Sequence, residues 1–305
     1  MKLLVCLLLI SPLCLAAPLR LAVQPSGEQQ QFNYRFDYAG HTQQLSFAIN
    51  NVSLNEHFRQ FRALKPALLY QYIWRDLRQH VARYPGARLQ RLPGNDALRY
   101  QLHADSKVLA QLDAELQQLT AERQAFYLQQ QYYFVQDLPW LSQAIIPDHV
   151  RIMQDSLQDL LPVATAWHSK LVNVPTRQSL SALTNWIQQI PYQDLSDRQH
   201  SSGSSFSPPL KLLQENRGDC DSKAVLLAAL LRMLLPDVKL AIVYLPQHAV
   251  LAVQLPVTPD DMSVSIEGKD YLLVDATGPA LQTPGQISSD YQIYTGNGRF
   301  GYRLL

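Results

Sequence analysis

The stretch RGDCDSKAVLLAALLRMLLP, residues 217–236, decides how this chain is read. Its first four residues carry turn chemistry and the remainder is helix. Gly218 permits a tight turn and Asp219 is a strong N-cap. The run from Asp221 to Leu235 is dominated by Ala, Leu and other helix formers until Pro236 stops it. A helix is therefore expected from about Cys220 to Leu235, with the cysteine sulfur at its N-terminal end. The unpaired N–H groups there carry partial positive charge, which favours thiolate over thiol. Asp219 and Asp221 would oppose a thiolate if they faced it, so both are expected to turn away into capping bonds.

A nucleophilic thiol needs a base, and the base needs an orienter. His248 opens the apolar run Ala249-Val-Leu-Ala-Val and follows Pro246-Gln247, which places it at the mouth of a strand. Asp275 ends a second apolar run, Tyr271-Leu-Leu-Val274, where a carboxylate needs a partner to offset its desolvation. If those strands are neighbours, the imidazole sits between sulfur and carboxylate, as in a Cys-His-Asp triad. Taken singly, each residue has an ordinary explanation: an inert buried thiol, a strand-end histidine, a turn-forming aspartate.

Taken together, these motifs resemble the bacterial transglutaminase-like superfamily. The resemblance is carried by Pro209 to Asp221 (PLKLLQENRGDCD), by Gln247-His248-Ala249-Val250 and by Val274-Asp275-Ala276-Thr277, with Trp186 to Tyr192 preceding them. It covers about residues 180–278. Asn216 stands where many members have Gly, Lys211 where many have Glu, and Ser222 where a second acidic residue is common. The resemblance implies an α+β, papain-like core with helices packed on an antiparallel sheet. It also implies a cysteine peptidase or amide acyltransferase. Cys220 would attack a peptide bond or a glutamine carboxamide, and His248 would protonate the leaving amine. Asp275 would hold the imidazole, and a thioester would pass to water or an amine. Cys220 N–H, Trp186 and Tyr192 are the candidate oxyanion donors. No cofactor and no metal is called for, and the substrate expected is a protein or peptide. The competing reading keeps the fold as a non-catalytic binding or scaffolding module of the cell envelope.

Around this site the chain divides into residues 18–146 and 147–305. In the first part, Gln30–Tyr38 and Thr42–Asn50 alternate with period two, and Ala39-Gly40-His41 between them predicts a hairpin. Leu54 to Arg83 has helical spacing broken at Pro66. Pro85-Gly86 and Pro93-Gly94-Asn95 flank a short strand, Ser106 to Tyr133 reads as one long helix, and Asp137-Leu-Pro-Trp140 marks a junction. In the second part, helices are expected over 148–171 and 179–190. The segment 196–209 has the composition of a mobile surface loop, and strands are expected over 239–245, 249–255, 264–267 and 271–274. The histidines other than His248, His149 among them, read as surface or structural. Lys223 is expected to pair with Asp219 or Asp221 or to be solvated.

The chain has 305 residues, 47% hydrophobic and 17% charged, which is enough apolar material for packed cores and argues against wholesale disorder. Net charge is +1 without a basic stripe, which argues against nucleic acid as a partner. Lys2, the apolar run Leu3–Ile10 and the small residues before Ala17 have the layout of a signal peptide over residues 1–17, implying a periplasmic or secreted protein. That run is too short for a stable membrane span. Acylation at Cys14 is disfavoured by the bulky Leu13. Cleavage would remove Cys6 and Cys14, leaving Cys220 as a lone thiol that can form neither an internal disulfide nor a Cys-based zinc site.

Overall fold

The computed structural model describes residues 19–58, 61–94, 98–195 and 206–305. The signal-peptide reading, with Cys6 and Cys14, lies outside these residues, as do Asn95 and most of the 196–209 loop. The expected α+β architecture is present, with antiparallel sheets throughout.

The N-terminal sheet runs β1 (Arg20–Ser26), β2 (Gln29–Tyr38), β3 (His41–Asn50), with neighbours antiparallel. The β2–β3 turn is Ala39-Gly40, with φ of 50° and 77°, the left-handed twist a two-residue hairpin requires. Alternation sends Phe32, Tyr34 and Phe36 to the same buried side as Leu45, Phe47 and Ile49. Strand β1 was not anticipated, because most of its residues are exposed and leave no apolar alternation to read.

Next come α1 (Asn51–Glu56), capped by the Asn50 side chain accepting from Val52 N at 2.7 Å, and α2 (Pro66–Val81), with Pro66 in its first turn. The expected break at Pro66 is thus a helix start. Strands β4 (Arg88–Arg91) and β5 (Tyr100–His103) pair, and α3 (Ser106–Gln130) follows. Helix α3 stops short of the predicted Tyr133, which instead opens β6 (Tyr133–Leu138), paired with β7 (Leu141–Pro147). The supposed junction at Asp137–Trp140 is therefore a hairpin turn. Asp137 closes it by accepting from Ser142 Oγ at 2.9 Å and Gln143 N at 2.8 Å.

The remaining helices are α4 (His149–Leu171), α5 (Thr176–Gln189), α6 (Pro209–Glu215) and α7 (Cys220–Leu234). A five-stranded antiparallel sheet then forms from β8 (Leu240–Leu245), β9 (His248–Val253), β10 (Ser263–Ile266), β11 (Lys269–Val274) and, after α8 (Ser289–Gly296), β12 (Gly301–Leu304). Its order is β10-β11-β9-β8-β12. One face (Ile242, Tyr244, Leu251, Val253, Leu272, Val274) joins the main core under the helices. The other (Val243, Val250, Ala252, Leu273) packs with Ile287 and Tyr291. Helices α6 and α8 and strand β12 were not foreseen. Phe206 and Ser207, placed by composition in a mobile loop, are buried.

Every residue of α7 from Ser222 to Leu231 is buried, so this helix is the axis of the core, enclosed all round. The core also runs across the 146/147 division. Tyr34 meets Trp186 edge-on at 5.3 Å between ring centroids, Phe36 lies 6.2 Å from Trp167, and Tyr34 Oη donates to Leu213 O at 3.4 Å. Among the described residues no helix is long and apolar enough to cross a membrane.

Candidate active site

Helix α7 begins at Cys220 because Asp219 caps it. The Asp219 carboxylate accepts from Ser222 N at 3.3 Å and from the Ser222 hydroxyl, which itself accepts from Ser207 N at 2.7 Å. Ser222 therefore fills its site with a hydroxyl that works in both directions. Gly218 is held flat against the chain after α5: Gly218 N donates to Pro191 O at 3.2 Å and Gln193 N to Gly218 O at 3.1 Å. A Cβ on Gly218 would lie 2.7 Å from Leu212 Cδ1, so a larger residue here would have to displace the Leu212 side chain. The left-handed residue in the turn is Asn216 (φ 51°, ψ 44°), the C-cap of α6, which accounts for an Asn standing where Gly is common.

Strands β9 and β11 are neighbours, with Leu251 opposite Val274, and they bring the base and its orienter together. His248 Nε2 is 3.0 Å from Asp275 Oδ2. An ionised Asp275 can only accept, so Nε2–H donates to it, and in the neutral ring this leaves Nδ1 as the nitrogen free to accept a proton. The imidazole lies flat on Tyr291, with ring centroids 4.3 Å apart and 16° between the planes. Burial on its own would raise Asp275. Hydrogen bonds from His248 and from Thr277, whose N–H reaches Oδ1 at 2.9 Å, outweigh it and hold the carboxyl below its ordinary value.

Gln188 and Gly278, which sequence reading left aside, and Lys223, which it placed differently, hold this side of the site. Gln188 is buried at the end of α5 and donates from Nε2 to Asp275 O at 2.6 Å and to Gln282 O at 3.0 Å. Gly278 has φ +68°, and a Cβ there would lie 2.1 Å from Gln188 O. Lys223, fully buried one turn after the cysteine, donates from Nζ to Ile190 O at 2.6 Å and to Thr277 O. It is not solvated, and among the described residues it is in no direct carboxylate pair. Burial lowers its pKa to about 8, against the pull of Asp275 and Asp219.

Cys220 and His248 line one cleft of about 630 Å³, together with Tyr192, Asp219, Asp221, Tyr244 and Ala249. Among the described residues the sulfur and the imidazole are not hydrogen-bonded to each other. The thiol does not behave as its helix position led us to expect. Burial pushes its pKa well up, Asp221 and Asp219 push the same way, and the N–H groups of Ala249 and Asp221 only partly oppose them. The two aspartates are thus engaged in local bonds yet still bear on the sulfur.

Asp221 also bonds a histidine that takes the structural of the two roles expected for it, surface or structural. His149, at the start of α4, is buried on the cleft wall, with Nε2 3.0 Å from Asp221 Oδ2 and Nδ1 3.0 Å from Tyr244 Oη. Desolvation lowers its pKa to about 3, and burial raises Asp221 to about 6. Of the oxyanion candidates, Tyr192 is half exposed and lines the cleft, with burial and Cys220 raising its hydroxyl to about 12. Trp186 is fully buried between Tyr34 and Trp167, where an indole serves packing. Its bulk and apolar neighbours in sequence, Ile187 and Ile190, were the missed sign of that position. No group of described His, Cys, Asp or Glu residues has the arrangement of a metal site.

Neither the curated proteins nor the solved structures yielded a match to this chain. The family model of the transglutaminase-like superfamily matches residues 168–275, from the last turn of α4 to Asp275. That stretch contains the cysteine-bearing helix, the histidine strand and the aspartate strand end whose packing has just been described, and the chain thus carries a transglutaminase-like superfamily domain.

Proposed function

We propose that this protein is a thiol enzyme acting on amide bonds, with Cys220 as nucleophile, His248 as base and acid, and Asp275 as the residue that orients the imidazole. The observation that carries the reading is the 3.0 Å His248–Asp275 pair on the wall of the cleft that Cys220 also lines. The sulfur bonds to the amide carbon while its proton passes to His248 Nδ1. The imidazolium, stabilised by Asp275, then protonates the departing amine. The resulting thioester is cleaved by water, giving peptide-bond hydrolysis, or by a second amine, giving acyl transfer. The oxyanion position falls to the Cys220 N–H, which as the first residue of α7 has no intrahelical partner, and to the Tyr192 hydroxyl.

The test is acylation by p-nitrophenyl acetate followed by mass spectrometry. The reading expects a burst of nitrophenol with acetyl on Cys220, absent in Cys220→Ala. A folded protein that never acquires the adduct would contradict it.

One observation favours a second reading. A half-buried thiol flanked by two carboxylates that disfavour its ionisation is also what a retired nucleophile in a scaffolding module would show. If Cys220→Ala is made at normal abundance and every cellular phenotype of the protein survives, the scaffold reading replaces the enzyme. We also place the protein in the periplasm or outside the cell, on the pattern of residues 1–17. N-terminal sequencing of the mature chain should begin at Ala17 or Pro18.

A further inference from the structure

The β6–β7 hairpin, which precedes the family-matched residues 168–275, forms the wall of the cleft facing the catalytic elements. Leu138, Trp140, Ile146 and Pro147 line it there, and Trp140 sits at the hairpin tip, only partly buried. The hairpin is firmly seated. Gln136 Nε2 donates to Tyr302 O at 3.4 Å. The Arg303 guanidinium lies 3.9 Å from the Phe134 ring centroid and pairs with Asp148 at 2.9 Å. Leu138 occupies the space above Gly301, where a Cβ would come within 2.6 Å of Cδ2. Trp140, packed against the main core from this seated hairpin, adds its indole to the apolar lining of the cleft.

The polar groups on the opposite wall leave that surface to set the chemistry. Asp219 is bonded to Ser222, and Asp221 to His149. The hairpin itself offers apolar carbon and one indole N–H. A charged side chain lying against the hairpin would lose water and gain no ionic partner from it, whereas a ring or branched aliphatic chain would gain contact at no such cost.

We propose that the β6–β7 hairpin is the specificity wall of the enzyme, with Trp140 and Leu138 forming a subsite for an aromatic or bulky aliphatic side chain next to the amide that Cys220 attacks. The inference rests on the nucleophile reading given above, and the experiment separates the two.

Alkylation rates of Cys220 would be measured with iodoacetamide, N-methyl chloroacetamide and N-benzyl chloroacetamide, with β-mercaptoethanol as the free-thiol reference. The wall should make the benzyl reagent at least about tenfold faster than the methyl one on Cys220, with a ratio near one on the free thiol. Trp140→Ala should erase most of that preference while leaving the iodoacetamide rate within about twofold, and Trp140→Phe should restore much of it. A benzyl preference that is missing, or that survives in Trp140→Ala, overturns the subsite while Cys220 remains a nucleophile. A folded protein whose Cys220 resists iodoacetamide itself overturns the nucleophile reading and the subsite with it.

Discussion

Two histidine–carboxylate pairs flank the same cysteine, each closing at 3.0 Å: His248–Asp275 on the strand side and His149–Asp221 on the helix side. By distance alone they are equivalent. They differ in the second ring nitrogen. His149 has its Nδ1 bonded to the Tyr244 hydroxyl, is sealed in the core and is driven to a pKa of about 3. Such a ring stays neutral with both nitrogens occupied. His248 keeps Nδ1 without a hydrogen-bond partner among the described residues, beside the cleft. A histidine near a carboxylate is therefore an oriented histidine, and only one with a spare nitrogen facing substrate can move a proton.

The comparison breaks most directly by exchanging the two roles. His248→Gln should slow Cys220 acylation by p-nitrophenyl acetate roughly 10³-fold or more, whereas His149→Gln should cost less than about tenfold. Equal losses would mean that both pairs serve the chemistry. Lys223 sharpens the strand side, since it ties α7 to the carbonyl of Thr277 just past Asp275. Lys223→Met leaves the carbonyls of Ile190 and Thr277 buried without their donor and should lower unfolding free energy by about 3 kcal/mol in urea. On the helix side, His149→Leu strands the Tyr244 hydroxyl and Asp221 and should cost about 2 kcal/mol by the same measurement.

The smallest effect is electrostatic. Alkylation of Cys220 should titrate above the ~8.5 of a free thiol, because burial and two carboxylates disfavour the charged form. Removing one negative charge favours the thiolate. Asp221→Asn should therefore move the alkylation profile to lower pH, by about one unit. A shift the other way would mean that Asp221 helps the thiol ionise.

The parts legible in sequence were those written in periodicity and capping. Asp219 before a run of helix formers placed α7 to within a residue of its end, alternation located β2 and β3, and apolar runs located β8, β9 and β11. Apolar strands ending in a single polar residue pointed to His248 and Asp275. What stayed hidden depends on tertiary approach. Nothing local distinguishes Gln188 from its neighbour Gln189, yet one holds the Asp275 backbone and the other reaches back to Asp37 O at 2.9 Å. Lys223 reads as solvated or paired with Asp219 or Asp221 until α7 proves to be enclosed on all sides. The helix dipole argument for a low thiol pKa was sound locally and was overruled by burial, which a linear pattern does not report. Strand β12 escaped because it pairs along an edge of the sheet with only Gly301 fully buried.

The buried seam where Tyr34 and Phe36 meet Trp186 and Trp167 has a practical consequence for anyone who would isolate the domain by its homology boundaries. Cutting at residue 168 discards nearly all of α4 and the whole N-terminal sheet, leaving Trp186, Leu183 and much of one side of α7 facing water. Such a fragment should aggregate on expression, because its fold is finished by residues that no family resemblance includes.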